Sequence, residues 1–382
     1  MQFSNKSVIL NHEIMNSAEG KYTTIHYQEY LKIQELLSTQ ELRSVQLGKP
    51  AHEELLFIIV HQVYELWFKQ IIHELESVID FFADEEVIES SLSVAIGRLN
   101  RVEAILKLMV EQISIMETMT PLDFLDFRNY LFPASGFQSF QFRAMECLLG
   151  LPAEQRMTYF GQKYSSVFEE DKQQALDRIY EKGTLLDMTN GWLERTPFLE
   201  LDGFDFMAEY RRALENMLQK ETQAIMDSEF LTEKEKAMRS KMLGSQDTYF
   251  RSILDEDTHN ELMKEGKKRL SYRATVAALF INLYREEPIL QLPFQFITCL
   301  IDIDNQVTNW RYRHAQMVLR MIGHKVGTGG SSGHEYLTKT AQKHQIYTDF
   351  HGISSLLIPR SELPVLPAGI REQLNFHFST QN

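Results

Sequence analysis

Cysteine is scarce: Cys147 and Cys299 are the only two in 382 residues. A multi-bridge disulfide framework and a zinc site of four thiolates from one chain are therefore excluded. Both sit among apolar neighbours (AMECLLG and FITCLID), which suits small buried hydrophobes better than nucleophiles. Long apolar runs are missing too. Leu55–Val60 and Val276–Ile281 fall far short of the roughly 20 residues needed to span a bilayer. The N-terminal MQFSNKSVILNHEIMN has no basic segment followed by an apolar stretch. A cytoplasmic protein that engages no membrane is expected. Basic residues are outnumbered, 39 Lys+Arg against 53 Asp+Glu, for a net charge of -14. No Lys/Arg surplus marks a nucleic-acid-binding face. Strand-like alternation is rare, and no internal repeat or low-complexity tract is visible.

Helical patterning dominates what remains. Between Pro50 and Pro121 there is one glycine, Gly97, and no further proline. Leu55, Ile58, Ile59, Val63, Leu66 and Trp67 keep helical spacing, as do Leu99, Val102, Ile105, Leu106, Met109 and Ile113. Two long antiparallel helices joined near Asp84–Glu89 are expected. Shorter helices follow over Leu122–Leu131 and Phe137–Leu149, punctuated by Pro121, Pro133 and Pro152. Another helical pattern runs from Phe168 to Leu193. Residues from about 203 to 266 are rich in Glu and Lys, as a solvated helical insertion without chemistry of its own would be. Apolar helices resume at Tyr272–Tyr284 and, after Pro293, from Phe294 to Ile322. Five of the 18 glycines then fall between Gly323 and Gly333, marking a loop. The expected fold is all-α, a single domain over residues 1–382 carrying that insertion.

Three residues stand out chemically. His61 lies in the very apolar LLFIIVHQVYELWFKQ, on one helical stripe with Phe57, Tyr64 and Phe68. It is either a core histidine with one hydrogen bond or a polar group in an aromatic pocket. His314, in NWRYRHAQM, is either structural or an axial haem ligand. Arg128, flanked by Phe124, Phe127, Tyr130 and Leu131, either pairs with Asp123 or Asp126 or clamps a ligand carboxylate.

The loop GTGGSSG (Gly327–Gly333) is either a flexible linker or a lid. It is no P-loop, since it lacks the Gly-Lys-Ser/Thr ending and follows a helix. A di-iron carboxylate bundle needs two Glu-x-x-His motifs, but one is present, Glu256–His259, in the charged insertion expected to be exposed. A His-Glu-x-x-His zinc motif is missing as well.

Longer stretches carry a specific likeness. HEELLFIIVHQVYELWFKQI (His52–Ile71), ETMTPLDFLDFRNYL (Glu117–Leu131), PASGFQSFQFR (Pro133–Arg143), WLERTP (Trp192–Pro197), RLSYRA (Arg269–Ala274), YREEP (Tyr284–Pro288), LIDID (Leu300–Asp304), WRYRH (Trp310–His314) and GTGGSSG together resemble the tryptophan 2,3-dioxygenase family, in the family's order. The likeness covers most of the chain and is weakest before Tyr22, over residues 203–266 and after Lys343.

The resemblance implies a homotetrameric all-helical bundle around haem b, ferrous when active. Such an enzyme inserts both atoms of O2 across the indole C2–C3 bond of L-tryptophan, giving N-formyl-L-kynurenine, the first step of the kynurenine pathway. It implies His314 as the axial haem ligand and His61 as the group hydrogen-bonding the indole N–H, with Phe57 lining the indole pocket. Arg128 would pair with the substrate carboxylate, beside Phe124 and Leu131. Thr328 would contact the substrate's ammonium and carboxylate end. Ser135 and Gly136 would approach the haem edge, and Tyr27 and Tyr30 would reach into the neighbouring subunit's pocket. Arg313, His334 and Phe132 depart from the family pattern, which bears on tuning rather than on reaction class. Other classes remain as competitors: a haem sensor or carrier without turnover, and a di-iron helical oxidase.

Overall fold

A computed structural model describes residues 24–83, 87–157, 164–201, 203–325 and 333–375. It is helical nearly throughout, as expected; the described strands are one two-residue antiparallel pair, β1 (Glu200–Leu201) with β2 (Phe204–Asp205). The chain divides into two units, Met1–Pro50 and Ala51–Asn382.

The described part of the first unit is three single turns, α1 (Tyr27–Tyr30), α2 (Ile33–Leu36) and α3 (Arg43–Gln46). It buries little of its own apolar surface. Tyr27 and Tyr30 are 73% and 72% exposed, and Ile25, Leu31, Leu37 and Val45 are exposed as well.

The second unit is built on three long helices. In α4 (Glu54–Phe82), Val60, Tyr64, Phe68, Ile71, Leu75, Val78 and Phe82 form one buried stripe. In α5 (Glu89–Met116) the matching stripe runs through Leu92, Leu99, Val102, Leu106, Met109 and Ile113. Stripes at this spacing place one face of each helix against the other, which is what holds such pairs together. By length and composition alone α4 could cross a membrane. Here it packs against α5, α7 (Phe140–Leu149) and α9 (Leu185–Glu194), as the core helix of a bundle does.

The bend before α7 starts with α6 (Pro121–Arg128). Thr120 caps it: the Asp123 amide donates to the Thr120 hydroxyl, while the Asp123 carboxylate accepts from the Thr120 amide and hydroxyl. A 3-10 turn, Asn129–Leu131, follows directly. At the end of α7, Gly150 adopts a left-handed φ of 111°, and a Cβ there would lie 2.7 Å from the Leu186 Cβ. The helical pattern expected from Phe168 to Leu193 is two helices, α8 (Glu170–Lys182) and α9. Gly183 at φ 95° and a Thr184–Asp187 capping box break it, which hydrophobic spacing does not register.

The insertion contains α10 (Phe206–Met226), α11 (Glu233–Leu254) and α12 (Glu256–Lys264). It is less solvated than its charge suggests. Phe206, Tyr210 and Leu214 are buried, and the Tyr210 hydroxyl donates to the Leu356 carbonyl. The expectation that Glu256–His259 is exposed is corrected: Glu256 is exposed but His259 is fully buried, its Nε2–H donating to the Leu270 carbonyl at 2.9 Å. Among the described residues, no group of three or more His, Cys, Asp or Glu could hold a metal ion, as a di-iron carboxylate centre requires.

Next come α13 (Tyr272–Leu283) and the 35-residue α14 (Pro288–Ile322). The latter begins earlier than expected. Pro288 occupies its first turn, where a missing amide costs nothing, and Pro293 is absorbed in the second turn. It packs along α5 on one side and α15 (Gly333–Lys343) on another. The fold closes with α16 (Thr348–Ile353) and α17 (Ala368–Leu374). Both cysteines are buried as expected; burial pushes the Cys299 thiol up to about 11.

Candidate active site

A cavity of about 310 Å³ opens between α4, α6, the segment leading into α7, and the second half of α14. That is the size class of small-molecule sites, roughly 300–1,000 Å³. Phe57, His61, Phe124, Arg128, Ser135, Gly136 and His314 all line it. These residues are spread over more than two hundred positions, and the fold brings them to one place.

One wall is aromatic. Phe57 meets Phe124 at 5.8 Å and Phe127 at 5.6 Å, and Phe124 stands edge-on to Phe127 at 5.4 Å. His61 follows Phe57 by one turn, their rings 4.1 Å apart. Its Nδ1 lies 2.7 Å from the Phe57 carbonyl oxygen. A carbonyl can only accept, so Nδ1 carries the proton and Nε2 is left as the ring's acceptor. The ring opens onto the cavity, yet the protein packed around it lowers its pKa. Burial outweighs the Phe57 carbonyl and Glu65, both of which favour the charged form. His61 is therefore a neutral imidazole at neutral pH.

His314 comes from α14. Trp310, one turn earlier, stacks on it with ring planes 3° apart and centroids 5.1 Å apart. Burial, with a smaller contribution from His61, lowers the His314 pKa to about 4. Its Nδ1 is buried without a hydrogen-bond partner among the described residues. Around it the wall is apolar, built from Met317, Val318, Met321 and Leu337. A Cβ added at Gly136 would meet nothing within 4 Å, so the wall there is open.

Arg128 ends α6, which the Thr120 cap and Pro121 start at a defined point. Asp123 is engaged in that cap, and Arg128 lines the cavity together with Phe57 and Phe124. Leu131 does not line it. Leu131, in the 3-10 turn after Arg128, is partly buried and packs against the main hydrophobic core, as Phe57 and Phe124 also do. Thr328 lies outside the described residues, although Gly333, at the end of its loop, lines the cavity. Tyr27 and Tyr30 belong to the N-terminal unit.

Of the three departures, Arg313 and His334 have local partners. Arg313 pairs with Glu117 at 3.0 Å, tying α14 to the residue that follows α5. His334 Nδ1–H donates to the Ala315 carbonyl at 3.1 Å, fastening α15 beside His314. Phe132 is 73% exposed.

Several lining residues carried no separate functional signal in the sequence. Tyr64 donates to the Met109 carbonyl at 2.8 Å, and burial pushes its phenol up to about 12. Glu65 accepts from Ser139 Oγ at 2.6 Å and from Gln141 Nε2 at 2.8 Å, which locks the start of α7 onto α4. Helical spacing from His61 and His314 points to Tyr64, Glu65, Trp310 and Met317, and that was the available clue.

Comparison with known proteins agrees with this geometry. The family model for tryptophan 2,3-dioxygenase matches residues 13–357. The tryptophan 2,3-dioxygenase of Bdellovibrio bacteriovorus is 47% identical over 358 residues, 94% of this chain and all of its own length. That of Alteromonas mediterranea is 47% identical over 92% of this chain and 97% of its own length. That of Dictyostelium discoideum is 44% identical over 95% and 91%. With a match over nearly the whole chain and this cavity at its centre, the chain belongs to the tryptophan 2,3-dioxygenase family.

Proposed function

We propose that this protein is a haem-dependent dioxygenase that cleaves the indole C2–C3 bond of L-tryptophan with O2, yielding N-formyl-L-kynurenine. The observation that carries the reading is one cavity lined by a hydrogen-bond-accepting His61, by Arg128 and by His314, whose Nδ1 has no hydrogen-bond partner among the described residues. The reaction balances without a further reductant: both oxygen atoms end as carbonyl oxygens, on C2 and on C3, and the C2–C3 bond breaks.

The residues fit haem. His314 would hold the iron, backed by the stacked Trp310, and the apolar wall of Met317, Val318, Met321 and Leu337 would cover the macrocycle. Ser135 and Gly136 would lie at its edge, where Gly136 leaves room. When bound, the haem supplies the binding and activation of O2.

The chain's own side chains orient the substrate. Arg128 holds the carboxylate through a planar, charge-assisted fork. The His61 Nε2 accepts the indole N–H, and Phe57 and Phe124 pack the ring. Indole C3 is already electron-rich, so the protein contributes placement and exclusion of water, not a nucleophile. Thr328 completes the ammonium and carboxylate end of this reading.

We further propose a homotetramer in the cytoplasm in which Tyr27 and Tyr30 complete a neighbour's site. The apolar side chains left exposed on the N-terminal unit support this, because such surface is costly unless another molecule covers it. A carrier of haem alone would share the His314 wall but would have no use for Arg128. The test is direct. Purified protein loaded with haem should show a Soret band and form N-formylkynurenine from L-tryptophan; a Soret band without product supports the carrier.

A further inference from the structure

Among the described residues that line the cavity, Glu65 is the only carboxylate. It stands one turn after His61 on α4, and the roles above leave it unassigned. Each of its oxygens takes a donor from the opposite wall. Ser139 Oγ–H donates to Oε1 at 2.6 Å, and Gln141 Nε2–H donates to Oε2 at 2.8 Å. Gln141 Nε2 also donates to the main-chain carbonyl of Glu65 at 2.8 Å. Bonds to an ionised acceptor are stronger than neutral ones, so this is a firm clasp.

The clasp closes on the segment that enters α7. Ser139 caps that helix: its oxygen accepts from the Phe142 amide at 3.2 Å while its one proton goes to Glu65. Just before it, Ser135 and Gln138 form a capping box around the 3-10 turn Gly136–Gln138, the Ser135 amide donating to Gln138 Oε1 at 3.1 Å. The turn is therefore ordered within itself, and what remains to be fixed is its place relative to α4. Glu65 fixes it, across 74 positions of sequence. The two walls so joined have different tasks. α4 carries Phe57 and His61, and the other wall presents Ser135, Gly136, Phe137 and Ser139 to the same cavity.

We propose that Glu65 is a positioning residue, whose two side-chain hydrogen bonds set the separation between the His61 wall and the Ser135–Ser139 wall, and through it the placement of the indole against the haem edge. This rests on the reading of the cavity as a haem and tryptophan site. The grip on the substrate carboxylate lies elsewhere, at Arg128 on α6, which its own Thr120 cap starts. Loss of the clasp therefore costs the rate of the bound complex more than its affinity, because a misplacement of about 1 Å can cost on the order of a hundredfold in rate.

Glu65→Gln keeps the size of the side chain and one acceptor oxygen, but turns an amide donor towards the Gln141 amide. In haem-loaded protein, kcat per bound haem should fall roughly ten- to hundredfold while KM for L-tryptophan stays within about twofold. Ser139→Ala cuts the same link from the other wall and should lower kcat in the same way. The double variant should be little slower than Glu65→Gln alone, since both substitutions break one connection. In the haem-free proteins, amide hydrogen exchange should quicken in peptides covering residues 135–142 while α5 keeps its protection. An unchanged kcat per bound haem in Glu65→Gln overturns the proposal, even where stability falls. A loss in Glu65→Gln that Ser139→Ala does not share also overturns it, because the charge would then act on the cavity directly. If Glu65→Gln does not fold, Ser139→Ala decides by the same readouts. If the unmutated haem-loaded protein forms no product, the functional reading fails by itself. The exchange measurement needs neither haem nor substrate, and unchanged exchange at residues 135–142 in both variants overturns the clasp independently.

Discussion

The His61 ring donates to the carbonyl of Phe57, one helical turn behind it, and this single contact sets which ring nitrogen can accept. With the Phe57 ring 4.1 Å away, the imidazole is held against the same aromatic wall that would pack an indole. A histidine so placed orients; it is not poised as a strong base, because burial lowers its pKa.

His61→Ala should therefore slow kcat/KM for L-tryptophan by around tenfold with haem still bound, since a neutral hydrogen bond contributes about 0.5–1.5 kcal/mol. An obligatory base would cost about 10²–10⁴-fold. Steady-state kinetics with haem content checked in both proteins separates the two.

The pH profile follows from the same contact. The folded pKa lies below the ordinary imidazole value of 6.5, so the neutral ring is the majority form at pH 6.5. Further acidification puts a proton on Nε2 and removes the acceptor. The His61-dependent part of kcat/KM should decline on acidification with a midpoint below pH 6.5, and a decline centred above pH 6.5 in wild type but not in His61→Ala would contradict this.

Arg128→Lys keeps the charge but not the fork. Loss of bidentate geometry in a desolvated site should raise KM for L-tryptophan substantially, by about 2 kcal/mol of binding or roughly thirtyfold. Tryptamine, which lacks the carboxylate, should be a poor substrate for the wild type. Equal efficiency on tryptamine and L-tryptophan would show that the clamp is misassigned.

His314→Ala should give folded helical protein with greatly reduced haem content, read from the Soret absorbance per chain. Trp310 would lose its stacking partner, but the α14 contacts with α5 and α15 remain.

Glu146→Gln should destabilise the fold by about 3–5 kcal/mol, because the guanidiniums of Arg143, Arg156 and Arg311 lose their shared buried counter-charge. Denaturant unfolding measures it. The folded pKa of Glu146 is depressed well below the ordinary carboxyl value of 4.5, so its stabilising contribution is full above that value. It is lost as pH falls from there through the depressed pKa, a dependence Glu146→Gln should lack.

The paired stripes of α4 and α5 were legible in the sequence because neither proline nor a run of glycine interrupts them. His61, Arg128 and His314 stood out as polar groups in apolar or aromatic runs, and the family likeness assigned them roles. Pro293 misled because an interior proline removes a backbone hydrogen bond and commonly marks a helix end, whereas α14 starts at Pro288 and runs through Pro293. His259 misled because its own neighbours are charged; what buries it is the chain around Leu270, eleven residues on. The Glu146 cluster was invisible for the same reason, as Arg311 lies 165 positions away along the chain.

The most direct test of the central claim follows the oxygen atoms. Haem-loaded protein is given L-tryptophan under isotopically heavy dioxygen, and the product is weighed by mass spectrometry. The account predicts N-formylkynurenine carrying two heavy oxygen atoms, one in the formyl group and one in the ketone. A hydroxylated tryptophan with a single heavy atom, or recovery of unchanged tryptophan from fully haem-loaded protein, would contradict it.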